Sequence, residues 1–345
     1  MSDVFDHPWL GDLFGDAEGR AIWSPDRQLQ HLLRIEAALT RAMGAAGTVE
    51  TAEDTAAGIE TAGIDTDALS AATRRDGLPI PELVRQLHAG AQTPEAIHTG
   101  ATSQDILDTA LALTLKETNV LIERRLDGLS TALAALGRTF GNESLMARTR
   151  MQAAVPTTVG QRLDSWSAPL PRHAARLSAL RPQVEALQLG GAVGDRAAFG
   201  DAGDRIAAEM ARRLELTDAP CWHTSRDSLA AWAALCAGIA GSLGKMGQDI
   251  ALMAQQGVDE IALTGGGGSS AMPHKQNPVT AELLVTLARY AAGQSALMHQ
   301  ALVHEQERSG AAWMLEWMVL PGLAQATLRS LSAATDLCAR IERIG

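Results

Sequence analysis

Hydrophobic residues recur every three to four positions over most of this chain, while the strict alternation typical of a half-buried strand is absent. Residues 26–44 show the helical pattern clearly, because Leu29, Leu32 and Leu39 share one face of a predicted helix. Residues 49–92 carry several glycines and prolines, which predicts two or three short helices joined by turns. The pattern as a whole predicts an all-α fold.

From about residue 102 the helical pattern continues over longer segments with few interruptions. Long helices are predicted over residues 102–137, 157–187, 225–256, 278–306 and 313–340. Several long helices in succession are typical of a helix bundle. We therefore expect a small N-terminal helical domain over residues 1–95 and a central long-helix bundle over residues 96–345.

The third long helix contains a stripe of glycines, Gly238, Gly241, Gly244 and Gly247, at intervals of three residues. Each glycine costs a helix up to ~1 kcal/mol relative to alanine, so the stripe needs a compensating benefit. Close approach of a neighbouring helix provides one, because a glycine adds no side chain to the contact. The stripe thus predicts helix packing rather than catalysis.

Composition and charge narrow the classes of function. The chain has 345 residues, 46% of them hydrophobic, and a formal net charge of −11, which disfavours nucleic acid as a partner. The three cysteines show no CxxC spacing and no HExxH sequence is present, so we expect no metal and no other cofactor. The N-terminus lacks a signal-peptide pattern, and the apolar run over residues 229–244 contains glycines and a serine. These features predict a cytoplasmic protein without membrane contact.

A glycine-rich segment carries the strongest candidate chemistry. Residues 265–279 read GGGGSSAMPHKQNPV, which places two serines, Lys275 and Asn277 on one loop. The glycines let the backbone approach a ligand closely, and Lys275 together with a helix starting near Pro278 favours a bound carboxylate. No Gly-Lys-Ser/Thr follows the glycines, so a Walker-type phosphate loop is not supported. A flexible surface linker is the alternative interpretation.

A second cluster lies at residues 98–105, which read HTGATSQD and stand directly before a long helix. The hydroxyls of Thr102 and Ser103, the amide of Gln104 and the N–H groups of the helix start are suited to a carboxylate. Ordinary N-capping is the alternative, since threonine and serine are common before any helix.

A third cluster lies at residues 148–158, which read RTRMQAAVPTT and end in a predicted helix start. Arg150 stays protonated near neutral pH, so it is able to bind an anion but not to act readily as a general base. For Arg150 and Gln152, a solvated segment that approaches a helix is the alternative.

The stretch SSAMPHKQNPVTAE resembles the signature of the fumarase/aspartase superfamily, whose members add or eliminate groups across a carbon–carbon bond beside a carboxylate. The resemblance implies that Ser269 transfers a proton and that Lys275 and Asn277 hold a substrate carboxylate. It also implies a long helical bundle, assembled as a homotetramer whose active sites combine loops from three subunits. Many members continue into a small C-terminal helical domain, which we expect to be absent here because the chain stops at Gly345.

The stretch HTGATSQDILDT resembles both the cycloisomerase and the adenylosuccinate lyase branches of this superfamily. Three further stretches resemble the cycloisomerase branch: GGAVGD, WHTSRD and HEQERSGAAWMLEWMVLP. That branch closes a conjugated tricarboxylate into a lactone, so the resemblance implies a small anionic tricarboxylate substrate. Lyases of the superfamily carry a catalytic histidine in the slot of Arg150, which weakens the lyase interpretation. A fumarate-releasing lyase, such as adenylosuccinate lyase, and a catalytically silent relative remain alternatives.

The candidate set therefore has two parts. Ser269, Lys275 and Asn277 are the expected catalytic residues. Expected substrate contacts, inferred from the clusters and from the resemblance, are His98, Thr102, Ser103, Gln104, Arg150, Gln152, Ser270, Met272 and Arg308. His223 is left out of the catalytic set, because Trp-His-Thr-Ser-Arg-Asp precedes a helix and is also explained by capping.

Overall fold

The computed structural model describes residues 3–268, 272 and 275–345. Helices account for most of these residues, which confirms the predicted all-α class. The N-terminal part contains α1 to α6, over Gly11–Phe14, Ala17–Ile22, Pro25–Ala45, Ala52–Glu60, Thr66–Asp76 and Ile80–Gly90. The Ser24 hydroxyl caps α3 by accepting a hydrogen bond from the Arg27 N–H at 3.2 Å. The short helices expected between residues 49 and 92 are confirmed as α4 to α6.

The central part contains α7 to α13, over Ser103–Phe140, Val159–Ser167, Pro169–Val184, Gly203–Leu214, Asp227–Met253, Val279–Gln300 and Ala311–Ala339. Helix α11 packs along α12 and α13, and α7 packs along α9 and α13. The long helices predicted from residues 102, 225 and 313 are confirmed to within a few residues. The helix predicted over residues 278–306 ends earlier, at Gln300, and a loop leads from there to α13.

The helix predicted over residues 157–187 is confirmed over most of its length, but it is divided at Ala168 into α8 and α9 and ends at Val184. An antiparallel hairpin of β1 (Ser144–Thr149) and β2 (Gln152–Thr158), which was not predicted, stands before α8. The hairpin turn is Arg150-Met151, with φ of 49° and 68°, the positive values that a two-residue turn needs. Neither residue is a usual glycine or asparagine turn residue, so the hairpin was not visible in the sequence.

Short antiparallel strand pairs lie at the end of the bundle where α11 and α13 end. Strand β3 (Ile261–Leu263), which follows α11, pairs antiparallel with β6 (Ile341–Ile344), which follows α13. Strand β4 (Gly267–Gly268) pairs antiparallel with β5 (Gln276–Asn277) at the two sides of the glycine-rich loop. These pairs fix where the loop leaves and re-enters the bundle.

Two apolar clusters fill the interior. The larger lies among α7, α9, α11, α12 and α13 and includes Trp232. The second joins α3 to α6 with the first turns of α7 and with α10, and it buries Ile35, Leu83 and Met210 completely. Residues on both sides of the expected boundary at residue 95 thus share one core, and the boundary itself stays a prediction.

The glycine stripe of α11 is a packing surface over part of its length. A methyl group at Gly244 would lie 2.5 Å from the Ala288 Cβ, and one at Gly247 would lie 2.5 Å from the Ala281 carbonyl oxygen. The packing prediction is therefore confirmed for these two glycines. At Gly241 a methyl group would meet nothing within 4 Å among the described residues.

Helix α11 is also the most apolar long helix of the bundle. By length and composition it is able to cross a membrane, but 61% of its most apolar window is buried inside the protein. The core helix of a soluble protein passes the same test. Because its apolar surface is largely used in packing against α12 and α13, α11 is a core helix.

Candidate active site

The candidate residues lie at two ends of the bundle. Thr102, Ser103 and Gln104 stand at the N-terminus of α7, whereas Arg150 and Gln152 belong to the hairpin that follows its C-terminus. A helix of 38 residues spans ~57 Å at 1.5 Å per residue. Within one chain, the two groups of residues are therefore separated by a distance much larger than a small substrate.

The glycine-rich loop lies at the hairpin end. Helix α11 starts beside the first turns of α7, where Arg226 binds Asp108, and it runs 27 residues, or ~40 Å, before the loop begins. The Arg148 guanidinium binds the Glu260 carboxylate at 2.6 Å, which joins the hairpin to the segment just before β3. The structure thus brings the signature loop toward the hairpin and separates both from the start of α7.

Part of the signature loop is described. Asn277 is partly buried in β5, opposite Gly267 of β4. Lys275 is exposed, and its backbone N–H donates to the Met272 carbonyl oxygen at 2.9 Å. The Met272 residue is 42% exposed.

The two serines of this loop, Ser269 and Ser270, lie outside the described residues. Their expected roles therefore stay predictions, as do the roles of Lys275 and Asn277. The described flanks show that the loop is anchored on both sides, by β4 before it and by β5 and α12 after it. Of the expected catalytic residues, Lys275 and Asn277 therefore lie just before the start of α12.

Asp105 organises the opposite end of the bundle. Its carboxylate is fully buried and accepts hydrogen bonds from the N–H groups of Gly190 (2.8 Å), Gly191 (2.9 Å) and Thr102 (2.9 Å), and from His223 Nε2 (2.8 Å). One carboxylate thus fixes the helix start, a glycine loop and a histidine from a distant segment. We refer to Thr102, Asp105, Gly190–Gly194, His223 and Arg308 as the α7 N-terminal cluster.

His223 belongs to this cluster, although the sequence interpretation left it out. Its side chain is 3% exposed, and Nε2 donates to Asp105. Burial of the ring acts to lower the pKa of His223, but the hydrogen bonds and charges of Asp105 and Cys221 outweigh burial and raise this pKa to about 9. The partner that decides this role is 118 residues away in the chain, so no local pattern reveals it.

Arg308 supplies positive charge to the α7 N-terminal cluster. Its Nη1 donates to the Thr102 hydroxyl at 2.7 Å, and its Nη2 donates to the Ala192 carbonyl oxygen at 3.0 Å. Arg308 forms no ion pair with any carboxylate in the part of the chain that the structure describes. It stands beside the N-terminus of α7, where the N–H groups of Ser103 and Gln104 and the helix dipole add positive potential. An exposed guanidinium next to such a helix start is suited to a carboxylate ligand.

His98 lies just before the same helix start, with a backbone φ of 60°. Its Nδ1 is 2.7 Å from Glu36 Oε1, and the His98 side chain is largely buried. Burial acts to lower the pKa of His98, but the charge and hydrogen bond of Glu36 outweigh burial, so the pKa lies above its usual value. The ring therefore keeps its proton to a higher pH than a free histidine does, and in the protonated form the second nitrogen, Nε2, is a donor suited to an anion.

Gln104 faces the interior instead of the surface. It is 1% exposed, and its Nε2 donates to Asp108 Oδ2 at 3.0 Å and to the His223 carbonyl oxygen at 2.9 Å. The amide therefore supports the packing beneath the α7 N-terminal cluster. A direct substrate contact by the Gln104 side chain stays a prediction. The backbone N–H of Gln104, in contrast, points toward the N-terminal end of α7.

A buried ion network lies beneath the cluster, and the sequence interpretation did not foresee it. Arg226 Nη1 binds Asp108 Oδ2 at 2.6 Å, and Arg226 Nε binds Glu316 Oε1 at 2.8 Å. All three side chains are at most 1% exposed. A buried guanidinium needs such partners, because an uncompensated charge in the interior is strongly unfavourable. The network connects α7, α11 and α13 and holds the base of the cluster in place.

Comparisons with known proteins agree with this architecture. A lyase family model matches residues 32–293, which is most of the chain. Together with the relatives described next, this match shows that the chain belongs to this lyase family, within the fumarase/aspartase superfamily. The family resemblance inferred from the glycine-rich loop is thereby confirmed.

The chain is also similar to individual proteins and solved structures of this superfamily. The chain is similar to the 3-carboxy-cis,cis-muconate cycloisomerase of Bradyrhizobium diazoefficiens, with 40% identity over 96% of this chain and 76% of that protein. It is also similar to the crystal structure of 3-carboxy-cis,cis-muconate lactonizing enzyme from Pseudomonas putida, with a TM-score of 0.91 and 36% identity over 98% of this chain and 77% of that chain. A fumarate lyase from Mesorhizobium sp. BNC1 has a TM-score of 0.89 and 31% identity, over 96% and 76% of the two chains.

Proposed function

We propose that this protein is a 3-carboxy-cis,cis-muconate cycloisomerase, which interconverts an open tricarboxylate and 4-carboxymuconolactone in protocatechuate breakdown. The observation that carries the proposal is the 40% identity to a cycloisomerase over nearly the whole chain. The uncompensated charge of Arg308 at the start of α7 supports an anionic substrate. Arg150 argues against a lyase, because an arginine stays protonated near neutral pH and does not readily serve as a general base.

The proposed reaction needs a proton donor and several carboxylate contacts. In lactone formation, one substrate carboxylate attacks an alkene carbon, and the adjacent carbon receives a proton from Ser269. The negative charge that develops at that carbon is delocalised into a neighbouring carboxylate as an enediolate. Lys275, Asn277 and the α7 N-terminal cluster hold the carboxylates and stabilise this charge. The reverse reaction returns the proton to Ser269 and needs no metal or other cofactor.

The proposed active site requires more than one copy of the chain. The signature loop and the α7 N-terminal cluster lie at opposite ends of helices that are ~40 to ~57 Å long, so one substrate does not contact both within one chain. A homotetramer in which antiparallel bundles bring these ends together satisfies both requirements. We place this tetramer in the cytoplasm, without nucleic acid or membrane partners.

The first test is direct. The substrate is generated from protocatechuate by its dioxygenase, and the ultraviolet absorbance of the conjugated diene is followed before and after addition of the protein. Rapid loss of this absorbance is expected. Ser269→Ala should lower turnover by orders of magnitude with an unchanged oligomer, while Ser70→Ala, on the exposed face of α5, serves as a matched control with normal turnover. Normal turnover by Ser269→Ala would remove Ser269 as the proton carrier.

A fumarate-releasing lyase is the second candidate, because the fold is also very similar to a fumarate lyase. Adenylosuccinate and argininosuccinate are suitable probes, since their cleavage releases fumarate with its own ultraviolet absorbance. Appearance of fumarate together with an unchanged diene signal would favour the lyase over the cycloisomerase. Absence of both reactions would favour a catalytically silent relative.

A further inference from the structure

A glutamate interrupts the apolar face of α3. Glu36 lies on the same face as Leu32, Ile35 and Leu39, and all four residues are at most 3% exposed. A buried carboxylate is unfavourable unless it is paired, and the one partner of Glu36 among the described residues is His98, whose Nδ1 lies 2.7 Å from Oε1. The other oxygen, Oε2, is buried and accepts no hydrogen bond from any described residue. The contact with His98 is thus the one polar role that the described residues show for Glu36.

His98 is held in place by its backbone as well as by its ring. Its φ of 60° is uncommon for a residue other than glycine. Two residues earlier, the Ala96 carbonyl oxygen accepts from the Thr40 hydroxyl of α3 at 3.1 Å. The His98 carbonyl oxygen accepts from the Ala101 N–H at 3.2 Å, which turns the chain toward Thr102. Helix α3 therefore holds this segment by a backbone carbonyl and by an imidazole ring, directly before α7 begins.

The contact with Glu36 directs the second ring nitrogen of His98. Because the two N–H bonds of an imidazolium diverge, a ring with Nδ1 against α3 turns Nε2 away from that helix. Nε2 forms no hydrogen bond with any described residue, and 17% of the His98 side chain is exposed. Thr102, four residues further on, accepts a hydrogen bond from Arg308 at the start of α7. Nε2 is therefore a donor without a described partner, on the segment that leads into the α7 N-terminal cluster.

Two carboxylates act on this ring from different helices. Burial lowers the pKa of His98, but the charge and hydrogen bond of Glu36 on α3 and the charge of Asp105 on α7 outweigh burial and raise this pKa. The neighbouring segments also carry the titratable groups His88 on α6, Glu95 and Arg308. Asp105 has other partners in the α7 N-terminal cluster, whereas His98 is the one described partner of Glu36. A change at Glu36 therefore acts on this ring with little effect on the rest of the cluster.

We propose that Glu36 is a positioning residue, which holds the His98 ring so that Nε2 donates a charged hydrogen bond to a substrate carboxylate. This role deepens the proposed function and rests on it. Glu36 itself does not touch the substrate, and His98 keeps its proton throughout while Ser269 carries the proton of the reaction. A hydrogen bond from a charged donor strengthens binding roughly five- to tenfold more than a neutral one. Since a carboxylate contact is present in the bound substrate and in the transition state alike, its loss should raise KM and leave kcat nearly unchanged.

Glu36→Gln separates charge from packing, because the amide is of similar size and its oxygen is able to accept from Nδ1. At pH 7.5 we expect KM for the diene substrate to rise about five- to tenfold and kcat to change by less than about twofold. The rise should shrink as the pH falls, because a lower pH protonates the ring in the variant as well. Glu95→Gln is the matched control: it removes the same charge from an exposed residue three positions before His98 and should leave KM within about twofold. An equal rise of KM in both variants would contradict the proposal.

A double-variant cycle tests whether Glu36 acts through His98. His98→Gln removes the charged donor and should raise KM by itself. Adding Glu36→Gln to His98→Gln should then change KM by less than about twofold, because the ring on which Glu36 acts is gone. If Glu36→Gln raises KM as much in the His98→Gln background as in the wild type, Glu36 acts elsewhere and the proposal is wrong.

Two measurements do not depend on turnover. The chain has nine histidines, so the His98 ring signal in an NMR titration is identified by its absence from His98→Gln. Its midpoint should lie above ~6.5 in the wild type and should be lower in Glu36→Gln. Calorimetric binding of tricarballylate, a tricarboxylate without an alkene to react, should be about five- to tenfold weaker in Glu36→Gln at pH 7.5.

The outcomes separate this proposal from the proposed function. A wild-type His98 midpoint below ~6.5 would overturn the positioning role even if Glu36→Gln does not fold. Equal tricarballylate affinity of the wild type and Glu36→Gln would overturn it as well. If the midpoint and the tricarballylate affinity change as expected but the diene absorbance is not lost, the cycloisomerase assignment is wrong, while the role of Glu36 holds for another carboxylate substrate.

Discussion

Replacing Gly247 by alanine tests whether the glycine stripe of α11 serves helix packing. The new methyl group would lie 2.5 Å from the Ala281 carbonyl oxygen and 2.8 Å from the Leu284 Cβ. Both distances are well below ordinary contact, and the carbonyl is a backbone group that does not rotate away. Helices α11 and α12 would have to separate by roughly 1 Å to restore contact near 3.5 Å.

The expected magnitude follows from two opposing effects. Alanine is favoured over glycine in a helix by up to ~1 kcal/mol. Overpacking of a close helix contact costs ~1–3 kcal/mol. The net expectation for Gly247→Ala is a free energy of unfolding lowered by up to about 2 kcal/mol and always below that of Gly241→Ala. Gly241→Ala is the matched control on the same helix, and it should raise the free energy of unfolding by up to ~1 kcal/mol, because no described atom lies within 4 Å of the new methyl group.

Urea unfolding followed by far-ultraviolet circular dichroism gives both values. The measurements are made at one protein concentration, since the stability of an oligomer depends on concentration. Gly247→Ala more stable than the wild type, or as stable as Gly241→Ala, would refute the packing argument. If Gly241→Ala and Gly247→Ala lower the free energy of unfolding equally, the free space around each glycine within one chain does not explain the effect.

Two further predictions concern charged groups. Asp105→Asn turns one buried carboxylate oxygen into an NH₂ group that faces N–H donors, so loss of two charge-assisted hydrogen bonds should lower the free energy of unfolding by about 3–6 kcal/mol. The surface change Asp195→Asn should alter it by less than ~0.5 kcal/mol in the same urea assay. The pKa of His223 is raised to about 9, so its contribution to stability is complete below pH 6.5 and is lost as the pH rises from 6.5 to about 9. Burial and nearby positive charge lower the pKa of His31 to about 4, so its contribution is complete above pH 6.5 and is lost as the pH falls toward 4. In profiles of stability against pH, His223→Gln should reduce only the loss of stability above pH 6.5. His31→Gln should reduce only the loss of stability below pH 6.5. If both variants change the profile equally in the acid and alkaline ranges, these pKa directions are wrong.

Features that depend on neighbouring residues were predictable from the sequence. The helix over Pro25–Ala45 follows from an apolar face with a period near 3.6 and from a Ser-Pro start, both of which act within a few residues. The glycine-rich loop was identifiable because its residue types stand side by side in the chain. The packing role of Gly244 and Gly247 was also predictable, since a glycine inside a helix is unfavourable unless another element approaches closely.

Features that join distant segments were decided only by the tertiary structure. The hairpin turn at Arg150-Met151 has backbone angles that its residues do not prefer, so packing and strand pairing impose them. The pairing of Asp105 with His223 spans 118 residues, and it turns an apparent capping segment into part of a candidate site. The sequence by itself determined the helices and the chemistry of the signature loop, because those depend on local periodicity and residue type. The tertiary structure decided which charges are buried together and how far apart the two halves of the site lie, because burial and long-range contacts exist only once the chain has packed.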